Sequence, residues 1–406
     1  MERLMSLVGL LSMLGIAYAL STSRKDVKWK TIIAGVLLQV FLGLLILKTS
    51  AGAAVFSGAK DMFGAVLAYT TEGSAFIFGP LSQPQKFGWI FATMVLPTII
   101  FMSSLMSVMY HLGIMQKLVE VTAKVMMKVM GTSGAESLSA AANIFAGQTE
   151  APLVIKPYIE KMTKSELMAL MTGGMATVAG GVLAAYVGMG IDAGHLLAAS
   201  VMSAPAALAC AKLMVPETEV SETEGVIKVD LPKTSANLID AAASGAGEGL
   251  QLALNVAAML LAFIALVAMA NGMLGYAGSF VGFPQLSIEL VLGYLFSPVA
   301  FLLGVPWEDC LKVGELLGQK TVINEFYAYK SLQGFMETGA ISERSKTIAT
   351  YALCGFANFS SIAIQLGGIG GLAPSRRHDL ARLGVKSLIA GTLACFMTAC
   401  IAGMLI

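Results

Sequence analysis

The sequence predicts an all-α protein that crosses a lipid bilayer several times. Of its 406 residues, 56% are hydrophobic and only 13% are charged, whereas soluble domains carry about 25% charged residues. Several apolar runs approach the ~20 residues that a helix needs to cross the hydrocarbon core. The net charge of +1, together with the lack of a basic stripe, argues against a nucleic-acid partner.

The apolar runs predict eight membrane-spanning helices. They are expected at Met5–Leu20, Thr31–Lys48, Trp89–Tyr110, Leu167–Met189, Ala193–Met214, Leu250–Leu274, Ser345–Ile364 and Ser387–Ile406. Two further segments are expected to form helices at the membrane surface. They are Ile114–Met130, in which lysines are interspersed among apolar residues, and Asp61–Tyr69.

The distribution of basic residues predicts which side of the membrane each loop faces. Ser21–Lys30, Gln116–Lys128 and residues 374–386 are rich in Lys and Arg, and they share one side if the chain crosses eight times from an outside N-terminus. Because the basic cluster follows the first helix, we expect that helix to be retained, although residues 17–19 resemble a signal-peptidase site. The charged stretch Pro216–Ser244 is then a cytoplasmic linker between two halves.

Two segments do not have the pattern of simple spans. Gly131–Glu160 contains a polar cluster at residues 147–150, and Leu290–Met336 is interrupted by Pro298, Pro306 and the polar pair Asn324 and Glu325. Ionisable side chains at membrane depth face protein or a wet cavity, so they mark a candidate functional site. Since non-helical backbone at this depth needs protein or water around it, both segments are predicted to be re-entrant hairpins.

A helix with an irregular middle follows each predicted hairpin. Gly173–Gly181 is rich in glycine, and residues 354–361 combine glycine, asparagine and serine. Taken alone, such glycines are typical of close packing between membrane helices. Their recurrence beside both polar clusters instead favours two broken helices in an inverted repeat, which is the pattern of a secondary transporter with a site near the midplane.

The remaining reactive side chains indicate no other chemistry. The five cysteines and three histidines are scattered, and none has metal-ligand spacing, so the cysteines are interpreted as buried apolar residues. No Rossmann or Walker pattern and no nucleophile–base arrangement are present. An intramembrane enzyme that uses Glu150 and Glu325, or a receptor without transport activity, is the alternative. The enzyme lacks an acidic run of the DDxxD type, and a receptor leaves the repeated broken helices unexplained.

Three motifs resemble those of the concentrative nucleoside transporter family. The first is Asn143 with Gly147–Leu153, the second is Asn324–Tyr329 and the third is Gly355–Ser361. The resemblance covers nearly the whole chain and is greatest to bacterial sodium-coupled members. It implies a homotrimer in the bacterial inner membrane, whose subunits each import nucleosides such as uridine together with sodium by an elevator movement.

The resemblance also implies roles for individual residues. The nucleobase would face Gln148, Thr149, Glu150 and Val182, and the ribose would be surrounded by Glu325, Phe356, Asn358 and Ser361. Sodium would be held by the side chains of Asn143 and Thr177 and the carbonyls of Ala146 and Val178. An ionised glutamate can accept from two hydroxyls, and hard cations prefer oxygen ligands. Thr177 replaces the serine of the family, and Tyr327 and Phe359 replace commoner aliphatic residues, which leaves substrate preference open.

The same resemblance divides the chain into static and moving parts. Residues 1–113 and 246–280 are expected to be mainly scaffold, residues 114–215 and 281–406 the two transport-domain repeats, and residues 216–245 the cytoplasmic linker. No cofactor is expected other than sodium as the coupling ion. Proton coupling through a buried glutamate is the alternative, and the ion stoichiometry stays open.

Overall fold

Helix is the only regular secondary structure in the described part of the chain. The computed structural model describes residues 1–88, 90–225, 235–280 and 282–406. Among these residues, seven helical stretches are long and apolar enough to cross a membrane. Short 3₁₀ turns connect some helices at Arg24–Asp26, Gly79–Ser82, Trp307–Asp309 and Pro374–Arg376. The predicted all-α membrane fold is confirmed.

In the described part of residues 1–112 there are six helices. They are α1 (Glu2–Ala19), α2 (Trp29–Lys48), α3 (Ser50–Phe78), α4 (Pro84–Phe87), α5 (Phe91–Met94) and α6 (Leu96–His111). The predicted surface helix Asp61–Tyr69 is only the middle of α3, which has 29 residues and is capped by Thr49. Its length was not predicted because glycines and polar residues interrupt the apolar pattern. Trp89, the predicted start of the third span, lies outside the described residues.

The next seven helices begin with an amphipathic one. They are α7 (Ile114–Met130), α8 (Gly134–Asn143), α9 (Ala151–Val154), α10 (Lys156–Ile159), α11 (Lys164–Ala176), α12 (Gly180–Gly188) and α13 (Ala193–Met214). In α7 the lysines at 117, 124 and 128 are exposed, whereas Met115, Val119 and Met126 are buried. The helix is therefore amphipathic, as predicted.

Polar bonds close the first hairpin at its base. The chain leads through α8 to a tip at residues 144–150 and returns through α9 and α10. Ser133, just before α8, donates from Oγ to Glu166 Oε1 of α11 at 2.6 Å. Ser133 and Thr163 also cap α8 and α11, each in a reciprocal capping box. The two ends of the segment therefore lie together at one end of the hairpin, as predicted for the re-entrant segment Gly131–Glu160.

The described residues of the second half form seven further helices. They are α14 (Leu238–Ser279), α15 (Ile288–Leu302), α16 (Cys310–Val322), α17 (Glu325–Glu337), α18 (Glu343–Leu353), α19 (Phe359–Leu372) and α20 (Arg377–Leu405). Helix α14 has 42 residues, so it extends well beyond the predicted Leu250–Leu274. It also includes the end of the predicted linker Pro216–Ser244, of which residues 226–234 lie outside the described residues.

The second hairpin is shorter than the predicted Leu290–Met336. Helix α15 is a separate apolar helix that continues through Pro298, because a proline inside a membrane helix is tolerated where neighbouring groups satisfy the freed backbone. The chain turns instead at Gly304, whose φ is +89°. The hairpin consists of α16 and α17. Its base is closed by Asp309, which accepts from Ser345 Oγ at 2.6 Å.

Both helices that follow the hairpins are broken. Residues 177–179 separate α11 from α12, and residues 354–358 separate α18 from α19. The predicted span Ser345–Ile364 is therefore discontinuous. Asn358 starts helix α19 after the second break, because its Oδ1 accepts from Ser361 N at 2.9 Å and caps the helix N-terminus. Hairpin, broken helix and long helix thus occur twice, as predicted.

Candidate functional site

The two helix breaks meet each other and the tip of the first hairpin. The amide of Phe356, in the second break, donates to the carbonyl of Thr177 in the first break at 3.2 Å. The amide of Gly180 donates to the carbonyl of Phe145 at the hairpin tip at 3.0 Å. Gly355 permits this approach, since a Cβ at that position would lie 2.9 Å from the carbonyl oxygen of Met175. Backbone polar groups freed by both breaks are therefore concentrated in one place.

A continuous chain of hydrogen bonds joins the two predicted polar clusters. Glu325 Oε2 accepts from Asn358 Nδ2 at 2.9 Å, and Asn358 Oδ1 accepts from Ser361 N. Ser361 Oγ in turn accepts from Gln148 Nε2 at 3.1 Å. All four residues are buried. The chain connects both hairpins through the start of α19, so four predicted site residues lie in one network.

Two residues of this network were missed by the sequence analysis. Tyr186 of α12 donates from its hydroxyl to Glu325 Oε1 at 3.0 Å. Gln365 of α19 donates to Gln148 Oε1 at 3.2 Å and to the carbonyl of Met171 at 3.0 Å. The signal for Gln365 was its position one helical turn after Ser361 in an apolar helix. No local signal marked Tyr186, because its partner is distant in sequence.

The predicted ion ligands cluster beside the network. Asn143 is buried at the end of α8, and its Nδ2 donates to the carbonyl of Ser139 at 2.9 Å. Its Oδ1 is buried without a hydrogen-bond partner. Thr177 Oγ1 donates to the carbonyl of Gly173 at 2.9 Å, and a Cβ on Gly173 would lie 3.1 Å from Asn143 Nδ2. A buried acceptor without a donor is costly, and a bound cation would satisfy it.

The other predicted residues lie around this centre without joining the hydrogen-bond chain. Thr149 and Glu150 are exposed at the hairpin tip, and Thr149 Cγ2 faces Gly368 of α19. Val182 is buried one helical turn before Tyr186 on the same face of α12. Phe356 is half-buried between the two breaks. Ala146 and Val178 are buried, the first at the hairpin tip and the second in the first break.

The fold and the site define a membrane transporter with two repeats and a polar centre between hairpins and broken helices. Residues 8–81 and 195–403 match the N-terminal and C-terminal parts of the family described as Na+ dependent nucleoside transporter. Residues 92–193 match a family described as nucleoside recognition. The chain belongs to the concentrative, sodium-dependent nucleoside transporter family, whose members are transporters and not enzymes.

Similar proteins include bacterial and mammalian transporters. The uncharacterized transporter YutK of Bacillus subtilis is 50% identical, with 100% of both chains covered. Sodium/nucleoside cotransporter 1 of Rattus norvegicus is 44% identical over 100% of this chain and 64% of its own length. The structure of CNTnw in an inward-facing substrate-bound state is 48% identical, with a TM-score of 0.95 over 100% of this chain and 98% of that chain. A CNTnw variant in an outward-facing state is 47% identical over the same shares, with a TM-score of 0.96, so relatives with this fold adopt alternating-access states.

Proposed function

We propose that this protein is a secondary active symporter that imports nucleosides together with sodium ions, which move down their own gradient and drive the uptake. The observation that carries the proposal is the hydrogen-bond chain from Gln148 through Ser361 and Asn358 to Glu325. The chain places the amide of Gln148 from the first hairpin and the carboxylate of Glu325 from the second hairpin on either side of the N-terminus of α19. A nucleoside has matching groups at its two ends, because its base carries donors and acceptors and its ribose carries vicinal hydroxyls.

In this proposal the second hairpin and the second break bind the ribose. Glu325 accepts from the ribose hydroxyls, while Asn358 and Tyr186 hold its carboxylate at 2.9 and 3.0 Å. Ser361 adds a hydroxyl that can donate or accept, and Phe356 packs against the sugar. A substrate that lacks the hydroxyls leaves buried acceptors unpaired, which costs about 1–3 kcal/mol for each unmade bond.

The first hairpin binds the base in the same proposal. Gln148 can both donate and accept, and its contact with Ser361 at 3.1 Å is replaced when a nucleoside bonds both side chains. Thr149 and Glu150 are exposed at the tip of the same hairpin, where they meet the edge of the base. Val182 supplies an apolar contact from α12. This division assigns each end of the nucleoside to one repeat.

Sodium occupies the position beside Asn143 in this proposal. Asn143 Oδ1, which is buried and has no hydrogen-bond partner, is one ligand, and the hydroxyl of Thr177 and the carbonyls of Ala146 and Val178 are the others. Oxygen ligands suit this hard cation. Because the ion ties the hairpin tip to the first break, its binding pre-orders Gln148 nearby. Coupling is then a free energy that sodium and nucleoside exert equally on each other.

Alternating access is proposed to be an elevator movement within a homotrimer. Residues 114–215 and 281–406 form the moving domain, residues 1–113 and 246–280 the scaffold, and residues 216–245 the linker. The contact of Gly180 and Gly181 in α12 with Met102 and Ser103 in α6 supports sliding, because glycines offer no side chain to interlock. Buried bonds that cross the boundary, from Gln39 Nε2 to Thr398 Oγ1 at 2.7 Å and from Ser6 Oγ to the carbonyl of Leu303 at 2.9 Å, have to break during movement.

The proposed location is the bacterial inner membrane with the N-terminus outside. Basic residues between α1 and α2 and in α7 support this orientation, since lysine and arginine concentrate in cytoplasmic segments. A bacterial transporter that is 50% identical over its full length supports the proposed location in a bacterial membrane.

The test is uptake of labelled uridine by purified protein in liposomes. Uptake is expected with an inward sodium gradient and not with potassium at the same pH. Equal uptake with potassium would refute sodium coupling. Uptake driven by a proton gradient alone would establish the alternative, which the buried carboxylate of Glu325 makes chemically reasonable. Recovery of unaltered uridine from the liposomes distinguishes transport from an enzymatic reaction.

A further inference from the structure

A buried lysine in the second hairpin lacks the partners that such a residue normally has. Lys320 of α16 is fully buried, and its Nζ donates to the carbonyl of Ala352 at 2.8 Å. A second deeply buried lysine among the described residues, Lys212, forms ion pairs with Glu136 and Glu217. Within the described residues, no carboxylate lies within the 4.0 Å ion-pair distance of Lys320. A buried ammonium is costly without compensation, so other groups stabilise this one.

The compensation comes from the ends of two helices. Lys320 lies in the last turn of α16, and Ala352 lies in the last turn of α18, immediately before the second break. Carbonyls at helix C-termini lack intrahelical partners, and their dipoles carry partial negative charge. The carboxylate of Glu325, just beyond the hairpin tip, also interacts electrostatically with Lys320. The place is therefore a cation site that a tethered ammonium fills.

The first repeat has an equivalent place. Asn143 is the last residue of α8, as Lys320 belongs to the last turn of α16. Asn143 faces Gly173 in the last turn of α11, as Lys320 faces Ala352 in the last turn of α18. In the first repeat the position carries an amide oxygen without a hydrogen-bond partner. In the second it carries a positive charge of its own.

We propose that Lys320 is a tethered cation that replaces, in the second repeat, the sodium ion that binds beside Asn143 in the first. The second hairpin is thereby ordered permanently, and only the first hairpin responds to sodium. This inference rests on the proposed sodium site, and it assigns Lys320 a positioning role for Glu325 and the ribose half of the site. Removing the ammonium and supplying an oxygen ligand should convert the position into a second sodium site.

The test compares three variants in the liposome uptake assay. Lys320→Asn reproduces the chemistry of Asn143, and Lys320→Met fills the space without charge or oxygen. Lys312→Asn is the matched control, because Lys312 lies on the same helix and also donates to a carbonyl, that of Ala340, at the hairpin base. For Lys320→Asn we expect the half-saturating sodium concentration to rise at least about tenfold and the Hill coefficient for sodium to increase from about one to about two. Lys320→Met should lose uptake at every sodium concentration, and Lys312→Asn should match the unmodified protein.

Thermal unfolding of each purified variant in sodium and in choline separates folding from transport. A Lys320→Asn protein that is stabilised more steeply by sodium than the unmodified protein supports the proposal. It is overturned if Lys320→Asn stays unfolded in saturating sodium. It is also overturned if Lys320→Asn and Lys320→Met transport with unchanged sodium dependence. If the unmodified protein itself shows no sodium dependence, the sodium coupling fails instead, independently of Lys320.

Discussion

Replacement of Glu325 by glutamine tests the ribose half of the site most directly. The carboxylate is buried and accepts from Tyr186 and Asn358 at 3.0 and 2.9 Å. In Glu325→Gln the amide oxygen can still accept from Asn358, and the amide nitrogen can donate to the tyrosine hydroxyl, which is able to accept. The variant therefore keeps the side-chain volume and both internal contacts. What it loses is the charge and one of the two acceptors available to the ribose.

The size of the effect follows from that loss. A hydrogen bond to a charged group contributes about 1.5–3 kcal/mol, which corresponds to about 10- to 150-fold in kcat/KM, since each 1.36 kcal/mol is tenfold. Uptake of uridine into liposomes should fall by this factor. Uptake of 2′,3′-dideoxyuridine, which has no vicinal hydroxyls, should change little. The preference of the transporter for uridine over the dideoxy compound is thus expected to shrink by about the same factor.

The comparison of the two substrates is what makes the test specific. A general defect in folding or movement would lower both uptake rates together, and such a result would refute the assignment of Glu325 to the ribose. An unchanged ratio with normal rates would refute it equally. Glu308→Gln is the matched control, because Glu308 is an exposed glutamate just before the same hairpin, and its kinetics should equal those of the unmodified protein.

Three further predictions concern neighbouring positions. Tyr186→Phe removes the hydroxyl that holds Glu325 Oε1, so the KM for uridine should rise about tenfold; a normal KM in the uptake assay would show that the hydroxyl is dispensable. Asn143→Ala removes the unpartnered acceptor, and the half-saturating sodium concentration should rise at least about tenfold while the uridine preference stays unchanged; an unaltered sodium titration would exclude Asn143 from the ion site. Gly355→Ala places a Cβ 2.9 Å from a carbonyl oxygen of α11, which should destabilise the protein by about 1–3 kcal/mol in thermal unfolding. Gly371→Ala, whose new carbon has no neighbour within 4 Å outside its own helix backbone and adjacent residues, should not destabilise the protein, and equal melting of the two variants would contradict the role of packing at Gly355.

Hydropathy and motif spacing predicted much of the architecture. The amphipathic helix α7 and the two hairpins with their broken helices are encoded locally, because each depends on which residues are apolar, polar or glycine within one turn. The prediction failed where local signals conflict with tertiary support. Pro298 suggested an interruption but lies inside α15, and the apolar pattern of α3 is diluted by glycines although the helix runs for 29 residues.

The sequence by itself determined the class of protein and the candidate polar residues Gln148, Asn358 and Glu325, since lipid does not solvate such groups. Only the tertiary structure decided their partners. Tyr186 bonds Glu325 across 139 positions of the chain, and Gln365 bonds Gln148 across 217. Hydrogen bonds depend on separations of about 3 Å, and no periodicity in the chain specifies which distant groups reach that distance. Packing of the two repeats against each other specifies it.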